Sequence, residues 1–134
     1  MNSTPAPRVL VVDDEESNRT FAKRALRESG YCVATAADGP EALTVIDAQA
    51  PFDLFLIDVL MPRMTGDELA RQVRLRDPNA KILYFTGYAD HLFERRSTLW
   101  QHEAFVEKPV SLNGLLEAVS LMLFGHMRGF QPTA

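Results

Sequence analysis

The chain has one cysteine, Cys32, and one tryptophan, Trp100, in 134 residues. A single thiol excludes an intrachain disulfide and a thiolate metal cluster, and Cys32, set in the apolar stretch Tyr31 to Ala36, reads as a small buried core residue. No apolar run approaches the length of a membrane span, and the opening MNSTPAPR has two prolines and no apolar core of the signal-peptide kind. A cytoplasmic location and no membrane partner are therefore expected. Basic residues are in deficit: 14 Lys and Arg against 18 Asp and Glu leave a net charge of −4, which argues against a nucleic-acid partner. The length suits one domain with a sizeable core and no separate catalytic or DNA-binding domain. With 46% hydrophobic and 24% charged residues, global disorder is not expected.

Apolar runs alternate with segments of helical period throughout, which implies βα units around a parallel sheet. Five of each are expected. The first strand is Arg8 to Val12, and its helix, roughly Ser17 to Ser29, turns Phe21, Ala22, Ala25 and Leu26 to one face and stops at Gly30. The second strand runs from about Tyr31 to Ala36. Asp38-Gly39-Pro40 then opens a helix carrying Ala42, Leu43 and Ile46, which Pro51 ends. Leu54 to Ile57 is continuously apolar, as a strand covered on both faces requires, and should be central. A Pro- and Gly-containing loop leads to a helix from about Asp67 to Arg76. The remaining expectations are a strand at Ile82 to Phe85, a helix at about Asp90 to Gln101, a short strand at Ala104 to Val106, and a last helix, Leu112 to Phe124, capped by Ser111. Residues 1–7 are expected to be a disordered lead, 8–124 the domain, and 125–134 a flexible tail.

Four strand ends carry chemistry: Asp13-Asp14, Asp58, Thr86 and Lys108-Pro109. A parallel sheet gathers such residues at its carboxyl edge. Three carboxylates, a hydroxyl and an ammonium suit a divalent cation and a phosphoryl group. Asp58, on the most buried strand, needs no general base to act as a nucleophile, because a carboxylate is ordinarily ionised near neutral pH. Lys108 offers a point charge for Asp58 and then for a phosphoryl oxygen, and Pro109 holds Lys108 extended. Thr86 can donate its hydroxyl to another phosphoryl oxygen, and Gly87 permits close main-chain approach.

The segments VLVVDDEESN, LFLIDVLMPRMTGDEL, ILYFTGYAD and FVEKP resemble, in order and spacing, the receiver domains of two-component response regulators over about residues 8 to 124. The resemblance implies a flavodoxin-like (βα)5 fold, a doubly wound five-stranded parallel sheet in the order 2-1-3-4-5 flanked by five helices. It implies phosphorylation of Asp58 by a phosphohistidine on a histidine kinase or phosphotransfer protein, with Mg²⁺ held directly by Asp14, Asp58 and the Leu60 main-chain carbonyl, and by Asp13 through water. A cis peptide is implied at Lys108-Pro109. Thr86 and Phe105 would be the switch pair, linking phosphate to the face formed by the fourth helix, fifth strand and last helix, where an effector or a second copy would bind. Phe105 lacks the hydroxyl of the Tyr often found there, so packing alone must separate its two states. Leu60 and Tyr88 would flank the water route in the family, and neither orients water well, so moderately slow self-dephosphorylation is expected.

Several residues also have plainer readings. His91, His102 and His126 have no close-spaced ligand partner and read as solvated, and Arg63, Arg71, Arg74 and Arg76 as a solvated face. Asp13 alone is hard to tell from a helix N-cap. Leu121 and Phe124 fall off the apolar stripe Leu112, Leu115, Leu116, Val119, Met122 and Leu123 of the last helix and mark either an exposed edge or a covered or frayed end. An aspartyl-phosphate phosphatase usually places a second acid two residues after its nucleophile, where this chain has Leu60. A receiver belonging to a larger hybrid histidine kinase stays open beside a free-standing protein.

Overall fold

A computed structural model of the chain describes residues 5–87, 99 and 101–125. Its elements are β1 (Arg8–Val12), α1 (Glu16–Glu28), β2 (Cys32–Ala36), α2 (Gly39–Gln49), β3 (Leu54–Ile57), α3 (Gly66–Arg76), β4 (Ile82–Thr86), β5 (Glu103–Glu107) and α4 (Leu112–Phe124). All strands are parallel, in the order β2-β1-β3-β4-β5. The expected flavodoxin-like doubly wound α/β sheet is thus present. Most of the helix expected at about Asp90 to Gln101 lies outside the described residues, as do Tyr88, His91 and His126.

Alternate strand residues feed two cores. On one face Leu10, Val12, Phe55, Ile57, Ile82 and Tyr84 pack with Ala42 and Ile46 of α2 and Leu69 and Val73 of α3. On the other, Val9, Val11, Leu54, Leu56, Leu83 and Phe85 meet Ala22 and Leu26 of α1 and Leu115 and Val119 of α4. β3 is central and buried at every residue, as expected of a strand covered on both sides.

α2, α3 and α4 start at side-chain caps, whereas α1 starts after Glu15 without one. Asp38 accepts from the Glu41 amide at 2.9 Å, Ser111 from the Gly114 amide at 3.0 Å, and Thr65 and Glu68 form a reciprocal capping box. Gly30 (φ 95°) and Gly125 (φ 75°) adopt the left-handed conformation beyond α1 and α4.

Three side-chain expectations need correction. Cys32 is exposed, because it is the first residue of β2, the edge strand of the sheet. Phe21 is 37% exposed and Leu112 46% exposed; each lies at the margin of its helix's apolar arc, so α1 buries Ala22, Ala25 and Leu26 while α4 buries Leu115, Val119 and Ser120. Leu121 and Phe124 are exposed, as their position off the stripe suggests.

The loop after β3 returns tightly: the Gly66 amide donates to the Val59 carbonyl at 2.8 Å, and a Cβ on Gly66 would run into the Asp58 carbonyl oxygen. Gly66→Ala should therefore cost about 2–3 kcal/mol, read as a lower urea midpoint with an unchanged m-value.

Candidate phosphoacceptor and metal site

β1, β3, β4 and β5 end side by side, and the register sets what each end presents. The Asp58 amide donates to Val12 O at 2.9 Å, and the Lys108 amide to Thr86 O at 2.9 Å, so the strand ends are locked in step. Asp13, Asp58 and Thr86 are buried, whereas Asp14 is exposed at the rim. Carboxylate oxygens of Asp13, Asp14 and Asp58 all lie within 4.8 Å of one another.

Lys108 bridges the pair of buried acids. Its Nζ is 2.8 Å from Asp13 Oδ2 and 3.6 Å from Asp58 Oδ2, and it sits 5.0 Å from the centre of the Phe85 ring. The sequence pointed to Asp58 as the partner of Lys108; the shorter contact is with Asp13, the more deeply buried acid. Asp13 is further held by the Glu15 amide at 2.9 Å and by Asn18 Nδ2 at 3.4 Å on Oδ1, while Arg19 Nη1 donates to its carbonyl at 2.7 Å. This is more than a helix-cap role. Asn18, Arg19 and Phe85 went unnoticed in the sequence as site residues. Arg19 lies six residues past Asp13 on α1, a spacing that brings a long side chain back over the strand end.

Asp58 is 6% exposed, and its carboxyl pKa is raised to about 7. Burial is the main cause, and the Asp13 and Asp14 charges add to it; Lys108 and a hydrogen bond from the Leu60 amide pull the other way. Negative charge at this edge therefore exceeds what one ammonium offsets. Three acidic oxygens in reach of one another with a raised pKa among them fit a hard divalent cation.

Of the remaining candidates, Thr86 ends β4 fully buried, Gly87 is exposed beside it, and Phe105 is half-buried opposite Tyr84 in the β4–β5 register. A Cβ on Gly87 would be 3.9 Å from Lys108 Cβ, an ordinary contact, so packing within the chain does not demand glycine there. The Lys108-Pro109 peptide is cis. His102 is exposed with φ 66° in the turn into β5, away from the acidic cluster's strand ends.

Comparison with known proteins agrees with this geometry. The chain belongs to the response regulator receiver domain family, whose profile matches residues 9–120. It is 38% identical over 116 residues to the sensor kinase CckA of Brucella abortus, covering 86% of this chain but only 12% of that protein. It is 34% identical to the response regulator receiver protein CpdR of the same organism, covering 87% of this chain and 96% of CpdR. Among solved structures, response regulator TrrA of Thermotoga maritima in complex with Mg²⁺-BeF superposes with a TM-score of 0.76 at 36% identity, covering 87% of this chain and 99% of that one. The family is one of signalling switches rather than of metabolic enzymes, and the fold here is that of the family.

The raised Asp58 pKa has a definite sign in stability. Below about pH 4 the carboxyl is protonated folded and unfolded; between about pH 4 and 7 the folded state keeps a proton that the unfolded chain releases, so stability falls as pH rises through that window. Asp58→Asn should match the wild-type thermal midpoint near pH 4 and exceed it by about 5 °C at pH 8, both in chelator. Equal midpoints at pH 8 would contradict the raised pKa.

Proposed function

We propose that Asp58 accepts a phosphoryl group from a phosphohistidine on a histidine kinase or phosphotransfer protein, and that the resulting acyl phosphate changes the affinity of this chain for an effector. The observation that carries this reading is the cluster of three carboxylates with Lys108 shared between Asp13 and Asp58. An Asp58 oxygen forms the new P–O bond as the donor P–N bond breaks, and the departing imidazole nitrogen keeps the electron pair. Asp14, Asp58 and the Leu60 carbonyl would hold Mg²⁺, with Asp13 acting through water; the ion supplies charge neutralisation for an anion meeting a phosphoryl dianion. Lys108 passes from the carboxylates to a phosphoryl oxygen, Thr86 donates its hydroxyl, and the Gly87 main chain comes close. Thr86 and Phe105 relay the change toward β5 and α4, where an effector or a second copy docks. The chain then catalyses only its own phosphorylation and dephosphorylation, in the cytoplasm. No helix among the described residues is long and apolar enough to cross a membrane.

Incubation with Mg²⁺ and acetyl phosphate, followed by intact mass measurement, should give one phosphate adduct on wild type and none on Asp58→Ala. Lys108→Ala should reduce the adduct by about tenfold or more, and Leu60→Asn or Tyr88→Ala should speed its decay. An equal adduct on Asp58→Ala sinks the reading. Steady phosphate release from small phosphomonoesters would favour the phosphatase class instead.

A surface beside the site supports the same reading. Phe21 and Leu112 are exposed across a cleft of about 650 Å³ between α1 and α4, and a neighbouring cleft joins Phe21 to Phe85 and Lys108. Its apolar rim, continuous with the site, suits the protein that carries the phosphohistidine. Phe21→Glu should leave acetyl phosphate labelling intact while slowing transfer from the cognate kinase by roughly tenfold, as found by phosphotransfer profiling against candidate kinases. Equal slowing with both donors would place Phe21 in the chemistry instead of the docking.

A further inference from the structure

Asp38, Gly39, Arg63 and Met64 have no part in the chemistry above, yet they join the loop beyond Asp58 to a neighbouring helix. The base of that loop is closed by the Gly66 amide on the Val59 carbonyl at 2.8 Å. Its tip rests on the start of α2. There Arg63 Nη1 donates to Asp38 Oδ2 at 2.9 Å, while the other oxygen of the same carboxylate caps α2 by accepting from the Glu41 amide at 2.9 Å. Met64 seats so closely on Gly39 that a Cβ there would lie 2.7 Å from Met64 Sδ and 2.8 Å from Met64 Cβ. The second contact involves no flexible chain end, so a side chain at position 39 would push the loop itself.

Backbone strain coincides with these contacts. Arg63 has φ 73°, a left-handed conformation that a long side chain seldom adopts, and the Met64 amide returns to the Pro62 carbonyl at 2.9 Å to close the turn. Such a turn persists where surrounding contacts over-determine it, and here the surroundings are Asp38 and Gly39. Three residues upstream, the Leu60 amide lies near the Asp58 carboxylate and favours its ionised form.

We infer that Asp38, Gly39, Arg63 and Met64 form a clamp that positions the Leu60 peptide, and through it the Asp58 carboxylate, for divalent-cation binding. They are positioning residues and touch neither phosphate nor metal. The inference rests on the proposed metal role of Asp58 and Leu60. Stability alone gives the ion pair little reason to exist, since the Arg63 side chain is 72% exposed and pairs of that kind contribute little to folding. Its consequence lies in loop geometry, as with the outer contacts that orient metal ligands elsewhere.

The same two helical regions supply a control. Arg76 Nε pairs with Asp47 Oδ1 at 2.9 Å, tying the far end of α3 to α2 with a similar surface contact but no connection to the loop. Asp38 itself is a poor test because it also caps α2. The experiment is calorimetric titration of the full chain with MgCl₂, for wild type, Arg63→Ala, Arg63→Lys, Gly39→Ala and Arg76→Ala, with thermal midpoints measured alongside. Arg63→Ala and Gly39→Ala should each weaken Mg²⁺ binding by about fivefold, Arg63→Lys should recover part of that loss, and Arg76→Ala should bind as wild type does. Arg63→Ala and Arg76→Ala should have midpoints within about 2 °C of each other. Unchanged affinity in both clamp variants, or an equal loss in Arg76→Ala, overturns the clamp alone. If wild type itself does not bind Mg²⁺, the metal reading falls and the clamp with it.

Discussion

One ammonium group holds the carboxyl edge of this sheet together. Asp13 and Asp58 are 2% and 6% exposed, and two buried carboxylates without a cation between them would oppose folding strongly. Lys108 arrives from β5, two strands away from β3 in the sheet, so its position depends on the whole β3-β4-β5 register. The Lys108 amide bonded to Thr86 O is the last rung of that register, and the Phe85 ring lies beneath the ammonium. Fold and site are therefore one problem: a slip of β5 by one residue would turn Lys108 to the other face and leave both acids uncompensated.

The compensation is incomplete, and that is useful to the chemistry. With Asp14 also in reach, three potential negative charges face one positive charge, and Asp58 responds by holding its proton to about pH 7. A second cation both relieves the repulsion and competes with that proton for Asp58. Metal affinity should thus fall with acidity in the neutral range, because the ligand must be ionised.

Much of this was legible in the sequence because it rests on periodicity and on strand ends. Continuous burial of Leu54 to Ile57 was legible as four apolar residues in a row, Ser111 as a cap, and Asp38-Gly39-Pro40 as a turn that opens a helix. Asp13, Asp14, Asp58 and Lys108 were legible because a parallel sheet brings its carboxyl ends together whatever lies between them. What escaped depends on which part of a surface the neighbouring elements leave uncovered. Phe21 and Leu112 obey the helical stripe yet stand at its margin, on the lining of an open cleft. Cys32 belongs to an apolar run but opens an edge strand. Arg19 and Arg63 are single basic residues whose partners, a main-chain carbonyl and an acid 25 positions away, leave no local pattern.

β5 differs from the other strands in a way that bears on switching. β3 and β4 are buried at every residue, whereas β5 is only half-buried from Glu103 to Val106. Its start is nonetheless fixed: the Tyr84 hydroxyl donates to Glu103 Oε2 at 3.2 Å, Arg74 approaches the same oxygen at 3.4 Å, and Arg74 also donates to the Gln101 carbonyl at 2.8 Å. Its far end is fixed by Lys108. Between those two anchors Phe105 faces Tyr84, a ring held in place by its own hydroxyl. A strand secured at both ends resists sliding, since any translation would break the Glu103 contacts and the Lys108 contacts together. Any change carried across β5 must therefore pass through its side chains rather than through translation of the strand.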